Sequence, residues 1–274
     1  RFNFMSASAK REIARYLADR LDREWRERLE QASTICQKMY SSGDPEIVLD
    51  EKADPGPQEF LLPPILELNQ PTAIFADGGS SKSLFALAVC NSLADGSQLI
   101  PGLVPREPIT CLYMDWEADK ETHKRRMALL LKRTGRTRNK GRIVYKRMNS
   151  PLSESVEEMQ ELVKRYAIAF VATDSAGAAC GGDISNEPAV IAFFRALRYI
   201  NRTSLLIAHV PKAEGGNAKP IGSTYWHNAA RLTWELVKQQ EEGDTSITLG
   251  LFNRKHNNGP LFKPLGFKIE FTPT

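Results

Sequence analysis

A loop of small residues between an apolar run and a helix-like run is the feature that most constrains the fold of this chain. The apolar run spans residues 72–75, the loop spans residues 76–83, and the helix-like run begins at Leu84. A strand that enters a helix through such a loop points several backbone N–H groups at one spot, which suits phosphate oxygens. The segment therefore predicts a strand, a phosphate-binding loop and a helix in succession. The alternative is a glycine- and serine-rich turn that only opens a helix.

The loop is an imperfect match to the P-loop pattern G-x-x-x-x-G-K-[ST], because Ala76 and Ser81 stand where the pattern has glycine. In a P-loop the lysine, here Lys82, reaches the β- and γ-phosphate oxygens, and the next hydroxyl, here Ser83, holds a magnesium ion. A side chain at position 81 requires either an allowed backbone angle or some strain. The predicted nucleotide cradle consists of Asp77, Gly78, Gly79, Ser80, Ser81, Lys82, Ser83 and Leu84.

From about Leu61 onward, strand-like and helix-like segments alternate. Strands joined by helix-length connections form crossovers, and crossovers give a mainly parallel sheet. The last two strands, joined at residues 239–244, predict an antiparallel hairpin. The expected fold is therefore α/β, a mainly parallel sheet flanked by helices with a C-terminal antiparallel hairpin. The predicted strands are residues 72–75, 109–114, 141–145, 168–173, 204–208, 231–237 and 245–252.

The segment before this sheet has a different character. Residues 7–40 carry apolar residues at a spacing of four between dense charges of both signs, which predicts one long helix with a narrow apolar stripe. A linker follows, with one short edge strand predicted at residues 47–49. We assign residues 1–58 to this N-terminal helix and linker, and residues 59–274 to the main domain. Because the stripe must lie against something, we expect this region to be an oligomerisation arm.

Composition narrows the class of protein. The 274 residues contain no apolar run long enough to span a bilayer, and the N-terminus lacks the layout of a secretory signal. Four widely spaced cysteines, with no C-x-x-C pair, favour reduced packing residues and a cytoplasmic location without a membrane partner. The chain begins at Arg1 and not at methionine, which leaves room for an additional N-terminal domain upstream.

Positive charge is concentrated between His123 and Ser153, where the chain has no acidic residue. A solvated helix face usually mixes both signs of charge. Two interpretations stay open: a surface for nucleic acid or another acidic partner, and a merely soluble basic face. The cations of this block are Lys124, Arg125, Arg126, Lys132, Arg133, Arg136, Arg138, Lys140, Arg142, Lys146 and Arg147.

Three predicted strands end in residues able to do chemistry. Glu117 follows the strand at residues 109–114, where it could orient a water that attacks a γ-phosphate, or simply belong to an acidic helix N-terminus. Asp174 ends the strand at residues 168–173, a place from which a carboxylate holds magnesium. His209 follows the strand at residues 204–208, where it could signal nucleotide state; the alternative is a structural histidine.

Two further cations, Arg254 and Lys255, follow the last predicted strand. Cations on such a turn can neutralise transition-state charge in a neighbouring subunit's site, or they can form an ordinary charged turn.

Together these residues resemble the RecA-like ATPases, and more narrowly the RepA/DnaB-like branch found in phages and plasmids. The resemblance extends over residues 61–271. It is carried by the order and spacing of the loop G-G-S-S-K-S, the strand ends Y-M-D-W-E and T-D-S-A-G, the strand L-L-I-A-H-V, and the later run G-S-T-Y-W-H-N-A-A-R-L-T-W-E-L.

The resemblance implies a RecA-type fold that binds ATP with Mg²⁺ and assembles into a homo-oligomeric ring or filament with the site between subunits. Lys82 and Ser83 then match the Walker A lysine and hydroxyl, Asp174 the Walker B acid, Glu117 the acid that polarises the attacking water, and His209 the polar sensor. Arg254 and Lys255 fall near the basic fingers that act in trans. Residues 176–188 and 211–224 match the loops that contact single-stranded DNA in relatives, although neither has an aromatic that stacks on bases.

These matches predict a DNA-dependent ATPase of replication, either a helicase or a helicase-like motor. The alternative is a RecA-like recombination mediator or single-strand annealing factor in which ATP binding controls assembly. A third possibility is an ATPase module that serves an upstream N-terminal domain.

Overall fold

The computed structural model describes residues 7–21, 25–41, 48, 56–133, 135, 139–182, 184–209 and 225–271. The chain divides into two compact units, Arg1–Gly56 and Pro57–Thr274. Among the described residues, no helix is both long and apolar enough to cross a membrane.

The described part of the first unit is a pair of helices, α1 (Ala7–Leu21) and α2 (Trp25–Ser41), which pack against each other. Lys10 Nζ of α1 donates a hydrogen bond to Glu30 Oε2 of α2 at 2.7 Å. The prediction of one long helix over residues 7–40 is therefore wrong. No glycine or proline interrupts the apolar spacing between the two helices, so periodicity alone does not reveal the division. Of the short strand predicted at residues 47–49, only Val48 lies within the described residues.

The second unit alternates strands and helices along the chain. Its strands are β1 (Phe60–Leu62), β2 (Leu66–Glu67), β3 (Pro71–Ala76), β4 (Thr110–Asp115), β5 (Ile143–Arg147), β6 (Ile168–Asp174), β7 (Thr203–His209), β8 (Leu232–Gln239), β9 (Ser246–His256) and β10 (Leu265–Glu270). Its helices are α3 (Lys82–Asp95), α4 (Lys120–Arg133), α5 (Val156–Tyr166), α6 (Ala176–Cys180), α7 (Glu187–Ile200) and α8 (Tyr225–Ala229).

Eight of these strands form one sheet in the order β10-β9-β8-β3-β7-β6-β4-β5. The strands from β8 to β5 in this order are parallel to their neighbours. β9 and β10 continue the sheet beyond β8 in antiparallel fashion. This confirms the predicted mainly parallel sheet with a C-terminal antiparallel hairpin, and it adds β10 as a third antiparallel strand.

The seven predicted strands correspond to β3 through β9, and their ends differ by up to four residues. The largest difference is at β9, which continues to His256 instead of ending at residue 252. Arg254 and Lys255 therefore lie within a strand, whereas the sequence analysis placed them on a turn. Strands β1 and β2, which pair with each other in a small separate sheet, were not predicted.

Helices cover both faces of the main sheet. In β4, Cys111 and Tyr113 pack in a cluster with residues of α3, whereas Leu112 and Met114 pack in a cluster with residues of α5 and α7. Burial on both faces explains why the parallel strands read as continuous apolar runs. β4, β6 and β7 end in Asp115, Asp174 and His209, so the carboxyl edge of the sheet is where a site can form.

Candidate nucleotide site

The loop between β3 and α3 has the backbone of a phosphate-binding loop. Gly79 has φ of 71° and Ser81, immediately before α3, has φ of 61° and ψ of 25°. Ser81 thus adopts the left-handed conformation that favours glycine, at the position where the P-loop pattern has glycine. Retaining this conformation with a side chain costs about 1 kcal/mol. The serine therefore keeps the loop shape at the expense of some strain.

Lys82 lies inside this loop and is almost fully buried. Its Nζ donates to the carbonyl oxygens of Ala76 at 2.9 Å and Asp77 at 2.6 Å. Burial lowers the pKa of Lys82, while the negative charges of Glu117, Asp174 and Asp77 act to raise it. The ammonium group is thus surrounded by acidic groups at the mouth of the loop.

Asp174, the last residue of β6, is buried beside the start of α3. Its Oδ2 accepts a hydrogen bond from Tyr113 Oη at 2.6 Å, and its carboxylate is also hydrogen-bonded by the Ser83 side chain. Burial raises the pKa of Asp174, and these two hydrogen bonds act to lower it. A hydroxyl and a carboxylate brought together in this way are the hard oxygen donors that magnesium prefers. Ser83 and Asp174 are therefore suited to coordinate a divalent metal ion.

Glu117 lies in the turn after β4 and faces β7. Its Oε1 accepts a short hydrogen bond from Ser175 Oγ and lies 3.6 Å from His209 Nε2. The side chains of Glu117 and His209 are both a little over 40% exposed, at 43% and 42%. Because its carboxylate is partly exposed, Glu117 is in contact with solvent at the site, as a group that orients water must be. Ser175, its hydrogen-bond donor, follows Asp174 through a cis peptide bond.

Strand register explains why these residues meet. Asp115 is opposite Asp174 in the β4–β6 pair, Asp174 is opposite Ile207 in the β6–β7 pair, and Ala76 is opposite His209 in the β3–β7 pair. The carboxyl ends of β3, β4, β6 and β7 therefore lie side by side. The structure accordingly brings together five of the predicted site residues: Lys82, Ser83, Glu117, Asp174 and His209.

Arg254 and Lys255 lie away from this edge. Lys255 is opposite Thr233 on β8, which in turn is opposite Ala73 near the start of β3. Lys255 Nζ donates to the carbonyl oxygens of His227, Asn228 and Ala230 at 2.7, 2.9 and 2.8 Å, and burial lowers its pKa. Within this chain, Lys255 connects α8 and the residue that follows it to β9 through these hydrogen bonds.

Arg254 forms an ion pair on the same sheet, with its Nε 2.7 Å from Glu235 Oε2. Its guanidinium also lies over the Phe252 ring, 5.3 Å from the centroid. Neither Arg254 nor Lys255 belongs to the nucleotide site of its own chain. Of the two loops that resemble DNA-contacting loops, residues 176–188 include α6, and residues 211–224 lie outside the described residues.

The structure also reveals polar residues that the sequence analysis did not assign to the site. Tyr113 and Asp115 alternate with apolar residues in a buried strand, and Ser175 follows Asp174 directly. His123 and Tyr145 contact Asp115 from α4 and β5. Polar residues at alternate positions of Y-M-D-W-E were a usable signal, but nothing in the sequence pairs His123 with Asp115.

The basic block falls on one edge of the sheet. It occupies α4, the segment after it and β5, the last strand in the sheet order. We call the exposed described cations of this region the basic surface: Lys124, Arg125, Lys132, Lys140, Arg142 and Arg147. Lys124 pairs with Glu121 at 3.3 Å, whereas the half-buried Lys146 pairs with Glu158 at 2.6 Å. Arg136 and Arg138 lie outside the described residues.

A comparison with curated proteins found no match. A solved structure and a family profile do match, and both agree with this geometry. The solved structure of the KaiC-like protein PH0186 from the hyperthermophilic archaeon Pyrococcus horikoshii OT3 is similar in fold. The match has a TM-score of 0.52 and 12% sequence identity, and it covers 76% of this chain and 94% of that protein.

A family profile described as AAA domain matches residues 43–215, more than half of the chain and all of the elements that carry Lys82, Ser83, Glu117, Asp174 and His209. With its phosphate-binding loop, its two carboxylates at strand ends and its mainly parallel sheet, the chain has a RecA-like fold with a P-loop ATPase-type domain, and it belongs to the AAA domain family.

Proposed function

We propose that this protein binds and hydrolyses ATP with Mg²⁺ as a motor acting on DNA in replication, and that it is a homo-oligomeric, helicase-type ATPase of the RepA/DnaB-like branch. The observation that carries the ATPase part is the meeting of Lys82, Ser83, Glu117, Asp174 and His209 at one edge of the sheet. Each residue alone is common at a strand end. A lysine, a metal-binding oxygen pair and a solvent-facing acid together meet the requirements of phosphoryl transfer to water.

Lys82 and the loop backbone bind the phosphates in this proposal. The Lys82 ammonium group gives up its hydrogen bonds to the carbonyl oxygens of Ala76 and Asp77 and binds β- and γ-phosphate oxygens instead. The N–H groups at the start of α3 face the same phosphates. Ser83 and Asp174 would hold the metal ion, which when bound would neutralise charge on the phosphate oxygens. Tyr113 keeps the buried Asp174 carboxylate in place through its 2.6 Å hydrogen bond.

Glu117 orients the attacking water. Its carboxylate is exposed enough to reach water, and Ser175 and His209 hold the side chain from one side. His209 ends β7 directly before residues 210–224. A histidine placed between Glu117 and that segment is suited to transmit nucleotide state to it.

The basic surface supports a polyanionic partner. Its cations lie on α4, in the segment after it and at the end of β5, and within the described residues Lys124 alone among them forms an ion pair. Regularly spaced phosphates are attracted strongly by such a field. Among nucleic acids we propose single-stranded DNA, because residues 176–188 and 211–224 resemble loops that contact it in relatives.

The second candidate function is a recombination mediator or annealing factor that uses ATP to control assembly. The left-handed Ser81 favours it, because a side chain at this position restricts how the loop adapts to phosphates during turnover. Measured turnover separates the two candidates, since a helicase-type motor requires steady hydrolysis.

We expect purified protein to hydrolyse ATP with Mg²⁺ and to do so faster with single-stranded DNA. Lys82→Ala removes the cation that binds the phosphates and should abolish this activity. Release of inorganic phosphate measures both, and Lys268→Ala is the matched control because this exposed lysine lies on β10, at the edge of the sheet, where it pairs with Glu270 at 3.2 Å. Absence of hydrolysis in the unaltered protein, with or without DNA, would contradict the proposed function.

Binding to single-stranded DNA should weaken steeply with salt. Replacing Arg142 and Arg147 of the basic surface by alanine removes two phosphate contacts, which should make the slope of log K against log[salt] shallower by about 1.4. Fluorescence anisotropy of a labelled oligonucleotide measures this. The control replaces Arg195 and Arg198, two exposed arginines of α7, and should leave the slope unchanged. Equal slopes for both double variants would show that the basic surface is an ordinary solvated face that does not contact DNA phosphates.

Asp174→Asn should stabilise the nucleotide-free protein while it abolishes hydrolysis. The folded environment raises the pKa of Asp174 above its ordinary value of 3.8, so the ionised form costs stability at neutral pH. The neutral isostere removes that cost, and a melting temperature about 2 to 4 °C higher is expected per kcal/mol gained. The gain should shrink as the pH falls through the raised pKa of the folded Asp174, and it should disappear below the ordinary value of 3.8, where the carboxyl is protonated in the unfolded chain as well. Asp119→Asn, at an exposed carboxyl whose pKa is lowered by Thr122, should shift the melting temperature the other way. A lower melting temperature for Asp174→Asn at pH 7 would contradict this account.

A further inference from the structure

We propose that Asp115, anchored by His123 and Tyr145, is the positioning residue that holds Glu117 in its hydrolytic orientation. The inference deepens the proposed function and rests on it, because it assigns a role within ATP hydrolysis to residues that do not touch the phosphates.

One oxygen of Asp115 fixes the backbone that carries Glu117. Asp115 Oδ1 accepts hydrogen bonds from the backbone N–H of Glu117 at 3.0 Å and of Ala118 at 2.9 Å. Asp115 is fully buried, so water does not compete for these bonds. The turn after β4 is therefore shaped by a side chain two residues before Glu117.

The other oxygen is held from two separate elements. Asp115 Oδ2 lies 3.0 Å from Nε2 of His123 on α4 and accepts a hydrogen bond from Oη of Tyr145 on β5 at 2.9 Å. Burial acts to raise the pKa of Asp115, but the hydrogen bonds from His123, Ala118, Glu117 and Tyr145 outweigh it and lower the pKa to about 2. Asp115 is therefore ionised and rigidly held at neutral pH.

His123 is itself positioned for this contact. Its ring lies between two tyrosines, with centroids 4.8 Å from Tyr113 and 5.5 Å from Tyr145. Its Nδ1 is buried and has no hydrogen-bond partner within the described residues. The buried imidazole thus makes one polar contact there, and that contact is with Asp115.

A metal site is the competing interpretation, because one ligand atom from each of Asp115, His123 and Asp174 lies within 4.8 Å of the others. A carboxylate has about four acceptor sites. Asp115 already accepts from Glu117, Ala118, His123 and Tyr145, so the acceptor capacity of its oxygens is filled by the protein itself. The arrangement is that of a positioning carboxylate.

The test compares Asp115→Asn and Tyr145→Phe with the unaltered protein. Misplacing a catalytic group by about 1 Å costs on the order of 100-fold in rate, so kcat for ATP should fall by about 100-fold in Asp115→Asn. It should fall by about tenfold in Tyr145→Phe, which removes a single O–H. The dissociation constant of a slowly hydrolysed ATP analogue should stay within about twofold in both, because the phosphate-binding loop is untouched.

The matched control is Asp119→Asn, an exposed carboxyl in the same turn that bonds Thr122 at the start of α4 instead of Glu117. Its kcat should stay near that of the unaltered protein. If Asp115→Asn fails to fold, Tyr145→Phe decides alone. The inference is overturned if Tyr145→Phe matches Asp119→Asn in kcat, or if analogue affinity falls in step with kcat. An unaltered protein without turnover would instead contradict the proposed function, and the positioning role would fall with it.

Discussion

The burial of the Asp174 carboxylate at the end of β6 is the constraint on which the rest of the site depends. A buried carboxylate is costly unless partners compensate it. Here Tyr113 and Ser83 bond it and the Lys82 cation lies nearby. Tyr113 comes from β4, whereas Ser83 and Lys82 both come from the first turn of α3, so satisfying one charge fixes β4 and the start of α3 relative to β6. The same geometry leaves Asp174 poised for a divalent cation, which would remove the remaining cost.

Ser81 shows how far the loop departs from its usual pattern without losing its shape. The residue takes the left-handed conformation of the glycine it replaces, with φ of 61°. The helix still starts at Lys82, and the Ser81 carbonyl accepts the Phe85 N–H at 2.9 Å as in any helix start. Serine at position 81 therefore preserves the direction of the N–H groups. Its effect is to restrict the backbone conformations that the loop can adopt.

The main sheet and the residues that meet at its carboxyl edge could be predicted from the sequence, because crossovers and strand ends follow from local patterns. The sequence was not sufficient for features that depend on contacts between distant segments. The division of the N-terminal helix leaves no glycine or proline signal, and β10 pairs with β9 only through tertiary packing. The hydrogen bonds of Lys255 to α8 and of His123 to Asp115 join residues whose proximity no spacing rule predicts. The basic block was visible as charge, but its place on the β5 edge required the strand order.

We propose that Glu117 activates water at a site assembled from four parallel strand ends, and single-turnover kinetics of Glu117→Gln is the decisive measurement. The amide keeps the size of the side chain and removes its charge and basicity. We expect the variant to bind ATP with nearly unchanged affinity but to form product at least about 100-fold more slowly than the unaltered protein. Product formation at the unaltered rate would contradict the proposal, because the hydrolytic role would then belong to another group.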